Sequence, residues 1–152
     1  MITLLRTNSD NQDFRSLTLL LDESLNDNYG KDQSEYDKYN VIQSLDTVVI
    51  AMHNEEPVGC GCFKQYDNDT VEIKRMFVKT DKRGFGIASR ILQELENWAA
   101  ERGFSRSILE TGIKQIEAIS LYKKHSYYTI PNYDQYKGMD SSVCFAKDLY
   151  EL

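Results

Sequence analysis

The residues best suited to chemistry lie in one stretch, Val78-Lys79-Thr80-Asp81-Lys82-Arg83-Gly84-Phe85-Gly86-Ile87-Ala88-Ser89. An apolar, alternating run ends there, a basic loop with two glycines follows, and an amphipathic helical pattern begins. Glycine has no Cβ, so the backbone can approach a ligand closely. The first amides of a helix lack intrahelical acceptors and carry the positive end of its dipole. Such a turn suits a phosphate or pyrophosphate. Between Lys74 and Arg90 six basic residues (Lys74, Arg75, Lys79, Lys82, Arg83, Arg90) stand against one acid, Asp81. The Gly-Lys-Ser/Thr ending of a P-loop is absent. Gly84, Gly86 and Ser89 imitate a dinucleotide fingerprint and Glu110 closes the next strand. However, about 40 residues after Glu110 are too few for the second half of that sheet. A strand-to-helix turn without a ligand stays open on these residues alone.

Other chemistries are poorly served. The three cysteines, Cys60, Cys62 and Cys144, are an odd number and make no disulfide framework. With only His53 and His125 beside them, no ligand spacing for a metal is visible, so free thiols in a reducing cytoplasm are expected. The formal charge of −6 argues against a general nucleic-acid binder. No apolar run approaches the roughly 18 residues of a membrane span, and Met1 to Asp10 contains no secretory h-region. A length of 152 residues fits one domain, expected over 1–152.

The elements that must hold the glycine turn follow from hydrophobic period. Ile2 to Arg6 reads as a strand, and Phe14, Leu17, Leu20 or Leu21, and Leu25 predict a helix from Asn11 to about Asn26, broken at Tyr29-Gly30. A second, polar helix is expected from Gln33 to Gln43. Thr47 to Met52, Val58 to Tyr66 and Val71 to Val78 read as three strands of an antiparallel meander, separated by turns at His53 to Glu56 and Asp67 to Asp69. Alternation in the third strand places Glu72, Lys74, Met76 and Val78 on one face. A helix from Gly86 to Arg102 carries the stripe Ile87, Ile91, Leu92, Leu95, Trp98 and Ala99 and stops at Gly103. A strand at Ser107 to Leu109, a helix from Gln115 to about His125, and strands at Tyr127 to Ile130 and Ser142 to Lys147 complete the order β-α-α-β-β-β-α-β-α-β-β. That is a mixed α/β sheet with helices on it.

Two stretches resemble the GNAT acetyltransferase superfamily. Arg83, Gly86 and Ala88 match its motif Gln/Arg-x-x-Gly-x-Gly/Ala, and Glu72 to Val78 is similar to its fourth strand. Gln115 to Lys124 resembles the helix written Asn-x-x-Ala-x-x-Leu/Phe-Tyr, with Ala118, Leu121 and Tyr122 in place and Gln115 for the usual Asn. Ser126-Tyr127 stands where the family commonly has Gly-Phe. The element order agrees over nearly the whole chain, so the resemblance implies the acyl-CoA N-acyltransferase fold.

The resemblance also implies acetyl-CoA as co-substrate, no metal, and direct transfer of acetyl to a primary amine. The backbone of Arg83, Gly84, Phe85, Gly86, Ile87 and Ala88, with Ser89, would hold the pyrophosphate. Met76, Phe77 and Val78 would pair with the pantetheine arm, and the Phe77 or Val78 amide would polarise the thioester carbonyl. Lys82, Arg83 and Lys124 are alternatives for the 3′-phosphate, and Gln115 joins the cofactor-binding set. Tyr122 matches the general acid, and a phenol with a pKa near 10 holds its proton at pH 7. Glu72 is the candidate base, with a water chain or a plain surface carboxylate as alternatives.

Between Asp22 and Asp46 seven acids face two lysines. Such a region would concentrate a cation, so a small or peptidic cationic amine is the expected acceptor. The tyrosine-rich segment Pro131 to Met139 is expected as a loop over the same cleft, or as packing or a dimer contact. A homodimer is expected by analogy with the fold. The competing function is an acyl-CoA sensor without transfer, and a longer acyl group is a third reading.

Overall fold

The computed structural model describes residues 1–29 and 44–149. Its elements are β1 (Ile2–Thr7), α1 (Gln12–Tyr29), β2 (Val48–His53), β3 (Glu56–Gln65), β4 (Thr70–Val78), α2 (Ile87–Glu101), β5 (Arg106–Gly112), α3 (Ile116–Lys124), β6 (Tyr128–Ile130) and β7 (Ser142–Asp148), with 3-10 turns at Thr80–Lys82 and Asp134–Tyr136. The strands form a seven-stranded sheet in the order β1-β2-β3-β4-β5-β7-β6. The parallel pair β4–β5 makes this sheet mixed, because β1–β2, β2–β3, β5–β7 and β6–β7 are antiparallel. Every strand and helix expected within the described residues is present. The polar helix expected from Gln33 to Gln43 lies outside them.

The chain divides into two compact units. The first is Met1–Phe63 with Arg75–Leu95, the second Lys64–Lys74 with Glu96 onward. In the first unit α1 begins at an Asn11 cap, whose Oδ1 accepts the Phe14 amide at 3.1 Å. Its stripe then buries Phe14 and Leu17 against Val48 and Ile50 of β2, Cys60 and Cys62 of β3, and Phe77 of β4. Full burial of such side chains stabilises by about 1.5–3 kcal/mol each. The register Ile50↔Cys60 and Val48↔Cys62 keeps these residues on one face. On the other face Gly59 and Gly61 lie under Ile91 and Leu95 of α2, and a Cβ on Gly61 would come 2.5 Å from Met76 Sδ. The β2–β3 hairpin closes with Asn54 and Glu55 at φ 50° and 70°, two left-handed residues as a type I′ turn requires.

In the second unit β5, β7 and β6 form an antiparallel ladder. Tyr122 of α3 packs on Tyr127 and on Phe145 of β7, with ring centroids 5.7 and 6.2 Å apart. Lys147 Nζ meets the buried Glu96 at 2.9 Å, and Tyr127 Oη shares a hydrogen bond with Ser107 Oγ at 2.9 Å.

Candidate functional site

In the first unit, β4 ends at Val78 and the next amide, Lys79 N–H, donates to the Val58 carbonyl of β3 at 2.8 Å. The 3-10 turn carries the chain away, and Gly84 and Gly86 both adopt left-handed conformations, φ 87° and 77°. L-residues pay about 1–2 kcal/mol there, which is the local reason for glycine. Among the described residues, chain neighbours aside, nothing stands within 4 Å of a Cβ built on either one, so the Cβ side of both glycines faces open space. Helix α2 starts at Ile87, which is buried, and its first internal bond runs from Arg90 N–H to Gly86 C=O at 3.2 Å. The amides before Arg90 belong to the turn that an α-helix leaves without intrahelical acceptors. The expected cradle residues Arg83 to Ser89 therefore share one loop and helix start. Arg83 is tied to it: its Nε donates to the Val78 carbonyl at 2.9 Å and its guanidinium lies 5.7 Å from the Phe77 ring centroid. Phe85 stands 75% exposed between the glycines.

The expectation of one continuous face for Glu72, Lys74, Met76 and Val78 is corrected. Arg75 has φ 60° inside the strand, the conformation found at bulges, and alternation does not run through it. Beyond Arg75, Met76 and Val78 lie beside Gly61, Gly59 and Ile91, while Phe77 joins the cluster with Phe14 and Cys60. The parallel ladder to β5 covers only Thr70 to Glu72, paired with Arg106 to Ile108.

In the second unit, Glu72 is 4% exposed. Its Oε2 accepts the Tyr133 hydroxyl at 2.6 Å, and Lys74 Nζ lies 4.0 Å from Oε1. Tyr133 in turn stands edge-on to Tyr66 and Tyr136, at 5.6 and 5.7 Å. Asn132 orders this loop by donating Nδ2 to the carbonyls of Tyr136, Met139 and Ser142. Glu110 of β5 accepts the Ser142 hydroxyl at 2.7 Å. Burial pushes its carboxyl up to about 7, against lowering by the Ser142 bond and Lys74, with Glu72 adding a further upward push. Burial also raises the Tyr122 phenol, and its charged neighbour is Glu110. Cys144, opposite Glu110 in the β5–β7 register, is raised to about 11, chiefly by burial.

Tyr122 and Glu72 thus lie in the same unit, but the carboxylate that acts on Tyr122 is Glu110. Sequence reasoning passes over Glu110 as a base and over Tyr133 as the partner of Glu72. The acid at the end of β5 and the tyrosine-rich segment were visible, but their pairing spans tens of residues. Gln115 sits half-buried at the start of α3 with no side-chain cap, and Lys124 is exposed in its last turn. Ser126 takes φ 72° where the family commonly has glycine. Among the described residues there is no cluster of His, Cys, Asp and Glu that could hold a metal, and no helix long and apolar enough to cross a membrane.

Comparison with known proteins supplies the relationship. The family model of the acetyltransferase (GNAT) family matches residues 14–127. The IAA acetyltransferase of Azospirillum brasilense is 36% identical over 80 residues, 52% of each chain. The uncharacterized N-acetyltransferase YsnE of Bacillus subtilis (strain 168) is 32% identical over 101 residues, 65% of this chain and 67% of its own. The chain spans about half the length of the first of these relatives. A Klebsiella pneumoniae structure assigned as an acyl-CoA N-acyltransferase superposes with TM-score 0.78 at 26% identity, covering 99% of this chain and 97% of that one. A GNAT acetyltransferase from Elizabethkingia anophelis with acetyl-CoA bound gives TM-score 0.69 at 18% identity, covering 97% of each chain. With its motif loop, its element order and the family model over most of its length in agreement, the chain belongs to the GNAT acetyltransferase family.

Proposed function

We propose that the chain is an acetyl-CoA-dependent N-acetyltransferase acting on a cationic primary amine. The observation that carries the reading is the loop at Gly84 and Gly86, where two left-handed glycines face open space at the start of α2. That geometry fits a pyrophosphate, which the amides of Gly84 to Ser89 would hold. The acetyl-CoA in the Elizabethkingia structure supports the same ligand class. Met76 to Val78 would pair with the pantetheine arm, and Lys82, Arg83 and Lys124 remain the choices for the 3′-phosphate, with Gln115 completing the set.

The transfer needs three proton movements. The cationic acceptor first loses a proton to free its lone pair; the nitrogen then bonds to the thioester carbon and gives up a second proton, and the C–S bond breaks to leave a thiolate that takes one. Tyr122, held neutral by burial, is the proton donor. Glu110 is the better-poised acceptor, since a base works best with a pKa near the operating pH. Glu72 is held between Tyr133 and Lys74. The two carboxylates and the rings of Tyr66 and Tyr133 supply what a cationic amine prefers. The three cysteines, buried and outside any disulfide among the described residues, suit a cytoplasmic placement.

The test is thermal unfolding with and without acetyl-CoA at about 100 times its dissociation constant, where mass action gives about 2.7 kcal/mol, or roughly 5–10 °C at this size. The shift should disappear in Gly86→Glu, each variant being compared with its own unliganded midpoint. Absence of a shift in the unmodified chain at any acetyl-CoA concentration sinks the reading. A shift without amine-dependent thiol release would favour the sensor.

A further inference from the structure

A lysine stands among the acids of the second unit. Glu72 of β4 pairs with Ile108 of β5 in the parallel register, and two residues further along each strand come Lys74 and Glu110. Residues two apart in a strand share a face, and Lys74 precedes the left-handed residue at 75, so Glu72, Lys74, Ile108 and Glu110 are set on one face. The charges agree with this placement. Lys74 Nζ lies 4.0 Å from Glu72 Oε1, and its positive charge holds the Glu110 carboxyl down against burial. Only 13% of the Lys74 side chain is exposed. A surface lysine turns its ammonium to water, whereas this one keeps it between two carboxylates, where a cationic acceptor is expected.

The groups around Lys74 are those the proposed transfer uses. Glu110, fixed by the Ser142 hydroxyl at 2.7 Å, is the proton acceptor, and it is also the charged neighbour of Tyr122, the proton donor. Along the chain Lys74 stands two residues before Met76, where the stretch proposed to pair with the pantetheine arm begins. Its charge rides on a flexible four-carbon stem, so Nζ can leave Glu72 without any movement of the strand. An amine with a carboxylate to take its proton is a nucleophile for a thioester.

We infer that Lys74 is a self-acetylation site: when no outside amine is present, its Nζ accepts the acetyl group of acetyl-CoA. The inference rests on the acetyltransferase reading and gives that site an acceptor within the chain. Glu110 takes the first proton from the ammonium and passes it to water. Nζ then bonds to the thioester carbon as the C–S bond breaks. The second nitrogen proton replaces the one that Tyr122 gives to the departing thiolate. The products are an amide at Lys74 and free CoA. Because the amide is neutral, the modification removes the positive charge that now faces Glu72 and Glu110.

The chain is incubated with acetyl-CoA and no amine, and acetylation is located by peptide mass spectrometry. Lys74 should gain one acetyl group at a rate independent of protein concentration, as an intramolecular transfer must. The exposed Lys114, Lys123 and Lys124 report solution chemistry in the same sample. Glu110→Gln should slow the Lys74 reaction by about 10²–10⁴. Acetylation of the exposed lysines as fast as Lys74, a rate that climbs with protein concentration, or an unchanged rate in Glu110→Gln overturns the inference. A second readout needs no acetyl-CoA. Lys74→Gln, neutral like the modified side chain, should raise the pH at which Glu110 loses its stabilising proton in urea unfolding, while Lys74→Arg should leave it in place. An unmoved midpoint in Lys74→Gln overturns the coupling on which the transfer depends. A thermal shift with acetyl-CoA but no acetyl group on Lys74 overturns self-acetylation alone, and no binding of acetyl-CoA overturns the acetyltransferase reading with it.

Discussion

Glu110 shows how position, more than residue type, decides what a carboxylate can do. It is half-buried on β5 beside a second carboxylate and one lysine, and its pKa rises from 4.5 to about 7. Because the folded value lies above the unfolded one, the native state binds the proton more tightly. Glu110 therefore adds stability at acid pH, and that contribution is lost as pH climbs from about 4.5 to about 7. With partial solvent access discounted, the loss is on the order of 2–3 kcal/mol. Glu110→Gln should flatten this slope, measured as the difference in urea unfolding between pH 5 and pH 8. If the variant and the unmodified chain change in parallel, Glu110 does not carry the shifted proton. For the reaction, the same substitution should remove the rise in rate through neutral pH and cost about 10²–10⁴ in turnover. Glu72 was legible in the sequence because it falls on a recognisable strand pattern. Its Tyr133 partner, 61 residues away, was not, because nothing local in either segment encodes the pairing.

Elements were more legible than their irregularities. Apolar period places every described strand and helix, since burial on a pleat or a helix stripe leaves a direct mark on sequence. The left-handed backbone at Arg75 leaves none, because arginine is not a residue that advertises it. The exit from α3 is an intermediate case. Ser126 N–H donates to Lys123 C=O at 3.1 Å and Tyr127 N–H to Tyr122 C=O at 3.0 Å, the paired bonds of a Schellman ending. Replacement of the family's usual glycine by Ser126 thus changes the strain and keeps the path, with φ at 72°. Ser126→Gly should raise stability by about 0.5–1.5 kcal/mol, relief of left-handed strain less the extra entropy of glycine in the unfolded chain. A loss of stability in chemical denaturation would mean that the serine side chain makes a compensating contact. Because Tyr122 lies in the same turn, its ring contacts with Tyr127 and Phe145 should be unchanged in this variant, and any rate effect should be small.

At the scale of the whole molecule, an acidic protein is asked to bind a polyanion. The net charge is −6, yet the proposed cradle sits among Lys79, Lys82, Arg83 and Arg90. The two fields have different ranges. At 0.01 M salt the screening length is about 30 Å and the ligand feels the whole protein, whereas at 0.1 M it is about 10 Å and the loop dominates. Net repulsion is therefore screened first, and short-range attraction within the cradle persists longer. Rapid-mixing measurements of acetyl-CoA binding across that range should show an association rate that holds steady or rises with salt. Any weakening of affinity should come from faster dissociation. This is opposite to electrostatically steered pairs, whose association slows steeply as salt is added. A tenfold fall in association rate between 0.01 and 0.1 M would mean that the potential over the loop is positive at long range despite the net charge. Acids elsewhere would then be remote from the approach path, and the proposed role of the acidic region in gathering a cationic amine would need a separate entrance from that of the cofactor.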